Sequence, residues 1–252
     1  MGSAFYWVAV PAVIIVGLSK GGFGGGLAML GTPILALAIS PVKAAAILLP
    51  ILLVIDAISI FSHRRNVDWS IVISMLPAAI LGITFGGLTA TYVSDDWIRV
   101  LIGLIALVFA INQVAKDLLK RDSAKANPVG ANIWGFLAGF TSFIAHAGGP
   151  PYQAYTVPLK MEKMLFVGTS VIFFSLMNAI KVIPYYALGQ FSGENLLVSA
   201  SLIPIAILGV LAGVWLVKRI SQNFFYNFTY LGMVVIGTKL IWDGRAAFTS
   251  VF

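Results

Sequence analysis

Cysteine is absent from the 252 residues and charge is scarce: Asp, Glu, Lys and Arg make up 10% of the chain against 60% hydrophobic types. The first absence excludes disulfides, thiolate metal sites and cysteine nucleophiles, and leaves the redox compartment unread. The second excludes a soluble globular enzyme, because an ordinary soluble domain carries about a quarter charged residues. Carboxylates are the scarcer sign, nine against sixteen Lys and Arg, for a formal charge of +7. That excess has no clustered basic face, so nucleic acid is not expected as a partner. A basic leader is also missing: residues 4–18 are apolar with no positive charge before them and run into SKGGFGGG instead of a cleavage site, so they read as mature protein. What remains is a single membrane domain, 1–252, with the lipid bilayer as its surroundings.

Long uncharged sequence is what the chain has in abundance. Residues 69–94, 195–217 and 220–238 run for 26, 23 and 19 positions without charge, each enough to cross. A span over 100–115 is completed by Trp97 and Lys116 at the interfaces. Residues 44–62 and 164–188 are spans with an interior charge, Asp56 and Lys181. Two further segments exceed one crossing and are interrupted, 5–39 by the glycine run 17–26 and 133–159 by 146–151. Glycine lowers helix propensity and paired prolines stop a helix, so each segment is predicted to be two half-helices joined by extended backbone. Such backbone survives in a bilayer only when buried in protein or lining a cavity.

The order of one break and three spans occurs twice. Pro77, Gly82 and Gly86 return 127 positions later as Pro204, Gly209 and Gly213; Asp56-Ala57-Ile58 matches Asn178-Ala179-Ile180, and Gly24-Gly25 matches Gly148-Gly149. Repeat 1 covers about 5–121, repeat 2 about 130–245, and the polar linker 116–128 joins them. If each break is re-entrant, Lys and Arg divide ten against three. The rich loops hold Arg64 and Arg65, Lys116, Lys120, Arg121 and Lys125, Lys160 and Lys163, and Lys218 and Arg219; the poor side holds Lys43, Arg99 and Arg245. The positive-inside rule puts the rich loops in the cytoplasm and both termini outside a multi-pass inner (cell) membrane protein. Three crossings per copy make the repeats inverted, so the fold class is all-α integral membrane: a polytopic bundle of two inverted repeats, each a re-entrant segment plus three transmembrane helices.

The breaks carry the strongest chemical signal. A half-helix that starts inside the membrane offers unpaired N–H groups and the positive end of its dipole, and glycine allows close approach, which outlines an anion site. Lys20, Gly21, Gly22, Gly24 and Gly25 in the first break and His146, Gly148 and Gly149 in the second are the candidate substrate-binding residues, with Asn178 and Lys181 from the facing span. Asp56 either neutralises Lys20 or Lys181 or exchanges a proton; His146 is either a coupling group or a neutral hydrogen-bonded ring. Lys239 reads as a snorkelling side chain. The GxxxG spacings at Gly82, Gly135 and Gly209 are packing motifs. His63-x4-Asp68 lies in a charged loop with no second His near, so no metal and no cofactor are expected. No nucleophile elbow surrounds Ser19 or Ser192, and no catalytic residue is assigned.

Taken together, GLSKGGFGGGLAMLGTPIL, AAAILLPILLVIDAISI, LPAAILGITFGG, SFIAHAGGPPYQAY and FVGTSVIFFSLMNAIK resemble the TauE/SafE family of membrane permeases from about residue 5 to 244. The resemblance implies transport of a small anion, with sulfite, sulfoacetate and related organosulfonates as the substrate class, and no enzymatic activity. It places binding at 20–25 and 146–151 with Asp56, Asn178 and Lys181. The second copy departs from the family's glycine-then-proline pattern by reading AHAGGPP. The expected function is alternating-access transport, with proton coupling through Asp56 and His146. A passive anion channel, or an intramembrane hydrolase using Ser19 or Ser142 with His146, is the alternative. A homo-oligomer is compatible with this reading.

Overall fold

The computed structural model describes residues 3–36, 38–89 and 125–245, with ten further positions between 94 and 111. The expected span over 100–115 and the linker 116–128 fall largely outside the described residues. Those described are helical, with no strand: α1 Ser3–Gly22, a 3-10 turn Gly26–Leu30, α2 Gly31–Leu35, α3 Pro41–His63, α4 Trp69–Thr89, α5 Pro128–Ala145, α6 Gly149–Thr156, a 3-10 turn Val157–Leu159, α7 Lys163–Ala187, α8 Gly193–Arg219 and α9 Gln222–Asp243. Six of these are long and apolar enough to cross a membrane. Their outward faces carry Trp7, Ile73, Leu81, Leu197, Leu208 and Trp215, a surface suited to hydrocarbon and headgroups.

Local chemistry sets the helix starts. Ser40 caps α3, Asn127 caps α5, Ser192 caps α8 and Ser221 caps α9, each accepting a backbone N–H three residues on. Pro41 and Pro128 then occupy the first helical position, where no N–H is needed. Glu162 caps α7 through Met164 N and Leu165 N at 2.8 and 3.1 Å.

Packing divides the helices into two sets of three. α1, α3 and α8 run the same way: Tyr6 meets Ser201, Gly17 sits against Ala206 and Gly22 against Gly213, while Lys43 pairs with Glu194 and Ser199 bonds Ile47 O. α4 and α5 are parallel too, with Gly135 on Met75 and Gly139 on Ala79, so close that a Cβ on Gly139 would stand 2.0 Å from Ala79 O. α7 runs against α3, with Thr169 bonding Asp68 N at one end and Asn178 reaching Asp56 further along. One apolar core joins Val13, Leu35, Ile51, Leu202 and Val210; the other gathers residues chiefly of α4, α5, α6 and α7.

Because α1 and α3 share a direction, the chain between them has to come back, and the first 3-10 turn and α2 make that return. α6 and the second 3-10 turn do the same between α5 and α7. The first interruption is shorter than the glycine run suggests. The helix continues through Gly17, Gly21 and Gly22, because these glycines let α8 approach, and the turn proper is confined to residues 23–25.

Candidate functional site

Three buried charges gather where the two turns approach each other. Lys20, in the last turn of α1, donates from Nζ to Asp56 Oδ1 at 2.7 Å, and Asn178 Nδ2 donates to Asp56 Oδ2 at 2.6 Å. The Lys20 and Asp56 side chains are 5% and 3% exposed. A lysine in the last turn faces the negative end of the helix dipole, which favours its charge. A lone ammonium inside a membrane costs at least about 2.5–3.5 kcal/mol, so the pairing with Asp56 is what lets Lys20 sit there charged.

Lys181 is fully buried and has no carboxylate on it. Its Nζ lies 3.1 Å from Ser142 O, 3.0 Å from Ser142 Oγ and 2.8 Å from His146 Nδ1, so its polar partners are a carbonyl, a hydroxyl and an imidazole. Since His146 Nδ1 accepts, the ring proton lies on Nε2, which donates to Ala45 O at 2.9 Å. Lys20, Lys181 and Asp56 are thus the buried Lys, Arg, Asp and Glu side chains among the described residues, two basic groups to one acidic.

The backbone of the turns differs in kind. Gly24 and Gly25 take φ of 60° and 75°, and His146 takes φ of 52°. A left-handed residue with a side chain costs about 1–2 kcal/mol, a strain typical of functional positions. Here it swings the imidazole off the end of α5 toward Lys181, while His146 N and Ala147 N return to Ser142 O and Thr141 O. Pro150 and Pro151 carry no N–H and Tyr152 N bonds Gly148 O, so α6 can offer a ligand only the amides of Gly148 and Gly149.

A cavity of about 20 Å³ lies between the turns, room for about one water molecule. Lys20, Gly25, Ser142, His146, Gly149, Asn178 and Phe174 line it, with Val16, Ala28, Leu48 and Leu52 as its aliphatic wall. Of the residues singled out in the sequence, Lys20, Gly25, Ser142, His146, Gly149 and Asn178 reach this cavity. Asp56 and Lys181 stand behind it, bonded to lining residues. Gly21 and Gly22 face α8, where a Cβ would meet Val210 O at 2.2 Å and Gly213 O at 2.5 Å; Gly24 faces Phe166 and Ser170, and Gly148 faces Ala138 O, Ser142 and Phe174.

Sequence reasoning named Asn178 and Lys181 but missed Ser170 and Phe174 on the same face of α7. Ser170, Phe174, Asn178 and Lys181 lie at helical spacing along it; Ser170 Oγ donates to Gly24 O, so this face touches both turns. Ser170 was marked only by its helical register with Asn178, two turns away in an apolar span, and Phe174 carried no polar mark. His63 also needs correcting: it is not in an exposed charged loop but is the buried last residue of α3, its Nε2 2.9 Å from Gly21 O. Asp68 caps α4 through Ser70 N and Ile71 N instead of sharing a ligand with His63. Lys239 is exposed and paired with Asp243 on its own helix. Among the described residues no group of three or more His, Cys, Asp or Glu comes together.

Ser142 Oγ stands within reach of Lys181, the geometry of a Ser-Lys hydrolase, and Ser19 Oγ has no hydrogen-bond partner. Lys181 also meets Ser142 O and His146 Nδ1, so it is tied into a buried network instead of being aimed at the hydroxyl alone. The arrangement is built to hold charge. Neither the curated proteins nor the solved structures contain a match to the chain. The family model described as Sulfite exporter TauE/SafE matches residues 9–240, nearly the whole of this apolar, multi-helix chain, which therefore belongs to the TauE/SafE family of membrane transporters of sulfite and related sulfur anions.

Proposed function

We propose that the chain moves a small sulfur oxyanion, sulfite or an organosulfonate such as sulfoacetate, by alternating access, with the anion held between the two turns. The observation that carries this reading is the excess of buried basic over acidic side chains, Lys20 and Lys181 against Asp56, beside the cavity. An anion is the natural counter-charge for a cation held in low dielectric, where a surplus is worth far more than in water. In this reading Lys20 and the amides of Gly25, Gly148 and Gly149 contact the anion, Asn178 orients it, and Lys181 acts through His146 and Ser142.

Charge arithmetic also supports a proton-coupled cycle. A monoanion balances Lys20, Lys181 and an ionised Asp56; a dianion balances the two lysines when Asp56 carries a proton. An anion that draws Lys20 away from Asp56 frees that carboxylate to take one. His146 is the second coupling candidate, since a proton on its Nδ1 would end the bond from Lys181. The opposite directions of the two helix sets support inverted repeats, with the ends near Arg64, Lys160, Lys163 and Arg219 in the cytoplasm and both termini outside the inner membrane.

The test is anion uptake by purified protein in proteoliposomes, alongside thermal stabilisation by sulfite, sulfate, taurine, sulfoacetate, nitrate and carboxylates. Saturable flux that accumulates sulfite against its gradient is expected. Conductance without saturation would make the same site a channel. Full flux in Lys20→Ala and Gly25→Leu variants that reach the membrane would overturn the binding assignment.

A further inference from the structure

We propose that the Phe174 ring is the partition that closes this anion site and sets the size of the anion admitted, an inference that rests on the anion reading above. The ring is the one phenyl group in the cavity lining. It bridges the two turns: a Cβ on Gly25 would lie 3.5 Å from its Cδ2, and a Cβ on Gly148 would lie 3.1 Å from its Cε1. Its face also covers Lys20, with Nζ 5.2 Å from the ring centroid.

The polar lining is tied down, whereas the ring is not. Lys20 and Asn178 are both bonded to Asp56, and His146 is fixed between Lys181 and Ala45. Phe174 is held by packing alone, against Tyr152 and Phe173 with ring centroids 5.2 and 5.4 Å away. Unlike the polar lining groups, it can turn without giving up a buried hydrogen bond.

Its position explains the small cavity. The quadrupole of a phenyl ring is negative on its face, so the ring shields the ammonium while no anion is bound and repels an oxyanion that approaches from the same side. About 20 Å³ holds a water but not a sulfur with its oxygens, so loading requires the ring to leave the ammonium. Asn178 lies one turn further along α7 and bonds Asp56, so a shift of α7 that carries the ring away also disturbs the carboxylate that competes for Lys20.

The experiment compares the full-length protein with F174L and F174W, purified in detergent, by titrating thermal stabilisation with sulfite, methanesulfonate and sulfoacetate. F174L is expected to improve sulfoacetate affinity relative to sulfite by about tenfold and F174W to reduce it by about as much, the size of effect that one group in a pocket wall exerts. A ratio unchanged within about twofold in all three proteins, with sulfite still binding, would overturn the role of Phe174 while leaving the anion site intact. Failure of the unmodified protein to bind any of the three anions would remove the anion reading, and this inference with it. Should F174L not fold, fluorophenylalanine at position 174 keeps the question open to measurement. Its 19F line should move with sulfite and not with equal chloride, and an unmoved line with sulfite bound rejects the partition.

Discussion

The first turn reaches its left-handed geometry with glycine, at Gly24 and Gly25, whereas the second forces a histidine into it and stops behind Gly148 and Gly149 with two prolines. Their lysines are treated just as differently. Lys20 meets a carboxylate directly, and Lys181 is spread over a carbonyl, a hydroxyl and an imidazole, all neutral. Neutral partners leave the basic character of Lys181 uncancelled, so in the proposed cycle the second turn would supply the field for an anion and the first the carboxylate that exchanges a proton. The two turns thus hold their lysines in unlike ways.

The strongest way to break this division is at Asp56. Asp56→Ala leaves Lys20 buried without a counter-charge and should lower unfolding stability by about 3–5 kcal/mol, while adding Lys20→Ala restores most of it. Thermal unfolding of the single and double variants checks this; independent, additive losses would deny the pairing its importance. Next comes Lys181→Met, which removes the surplus charge and fills the space with a flexible apolar chain. Sulfite affinity should weaken about tenfold or more, read from the melting shift, with the unliganded protein still folded. Undiminished sulfite stabilisation in that variant would move the net field to the first turn.

His146 sharpens the backbone half of the comparison. His146→Gly should be more stable than His146→Ala by about 1–2 kcal/mol, since both lack the ring and only alanine keeps the left-handed strain. Equal chemical-denaturation midpoints would show that the turn relaxes instead. The smallest effect is expected at Gly25, where a Cβ meets nothing nearer than 3.5 Å and only conformation resists it. Gly25→Ala should cost about 1 kcal/mol and Gly25→Asn about half of that, by the same measurement.

Much of the fold can be read from residues alone. Uncharged runs locate spans because hydrocarbon excludes charge, and the glycine and proline interruptions locate the turns because both residues disrupt helices. The exact width of the first turn cannot be read this way. Gly17, Gly21 and Gly22 are as flexible by composition as Gly24 and Gly25, and only the approach of α8 makes them helical. At the site, Lys20, Asp56, Asn178, Lys181 and His146 stand out as polar residues in apolar surroundings. Which lysine takes Asp56 depends on packing between α1, α3 and α7. Phe174 carries no polar mark at all, and an aromatic in an apolar span is indistinguishable from core until its neighbours are known. His63 illustrates the reverse: arginines beside it suggest a solvent loop, yet its ring is needed on the carbonyl of Gly21.

The helix sets do not follow the duplication. The third long helix of each copy lies against the broken segment of the other, α8 on α1 and α4 on α5, through glycine contacts that leave no space for a side chain. The two copies are therefore clasped like hands with crossed thumbs, and neither can be lifted away without unpacking both glycine seams. A shift between the groups of helices, in contrast, keeps those seams and works on the bonds between the groups, Asn178 to Asp56, His146 to Ala45 and Ser170 to Gly24, and on the packing of Ala45 and Leu49 in the second core. Such a clasp makes the two halves of the chain one mechanical unit, since each half holds helices that complete the packing of the other.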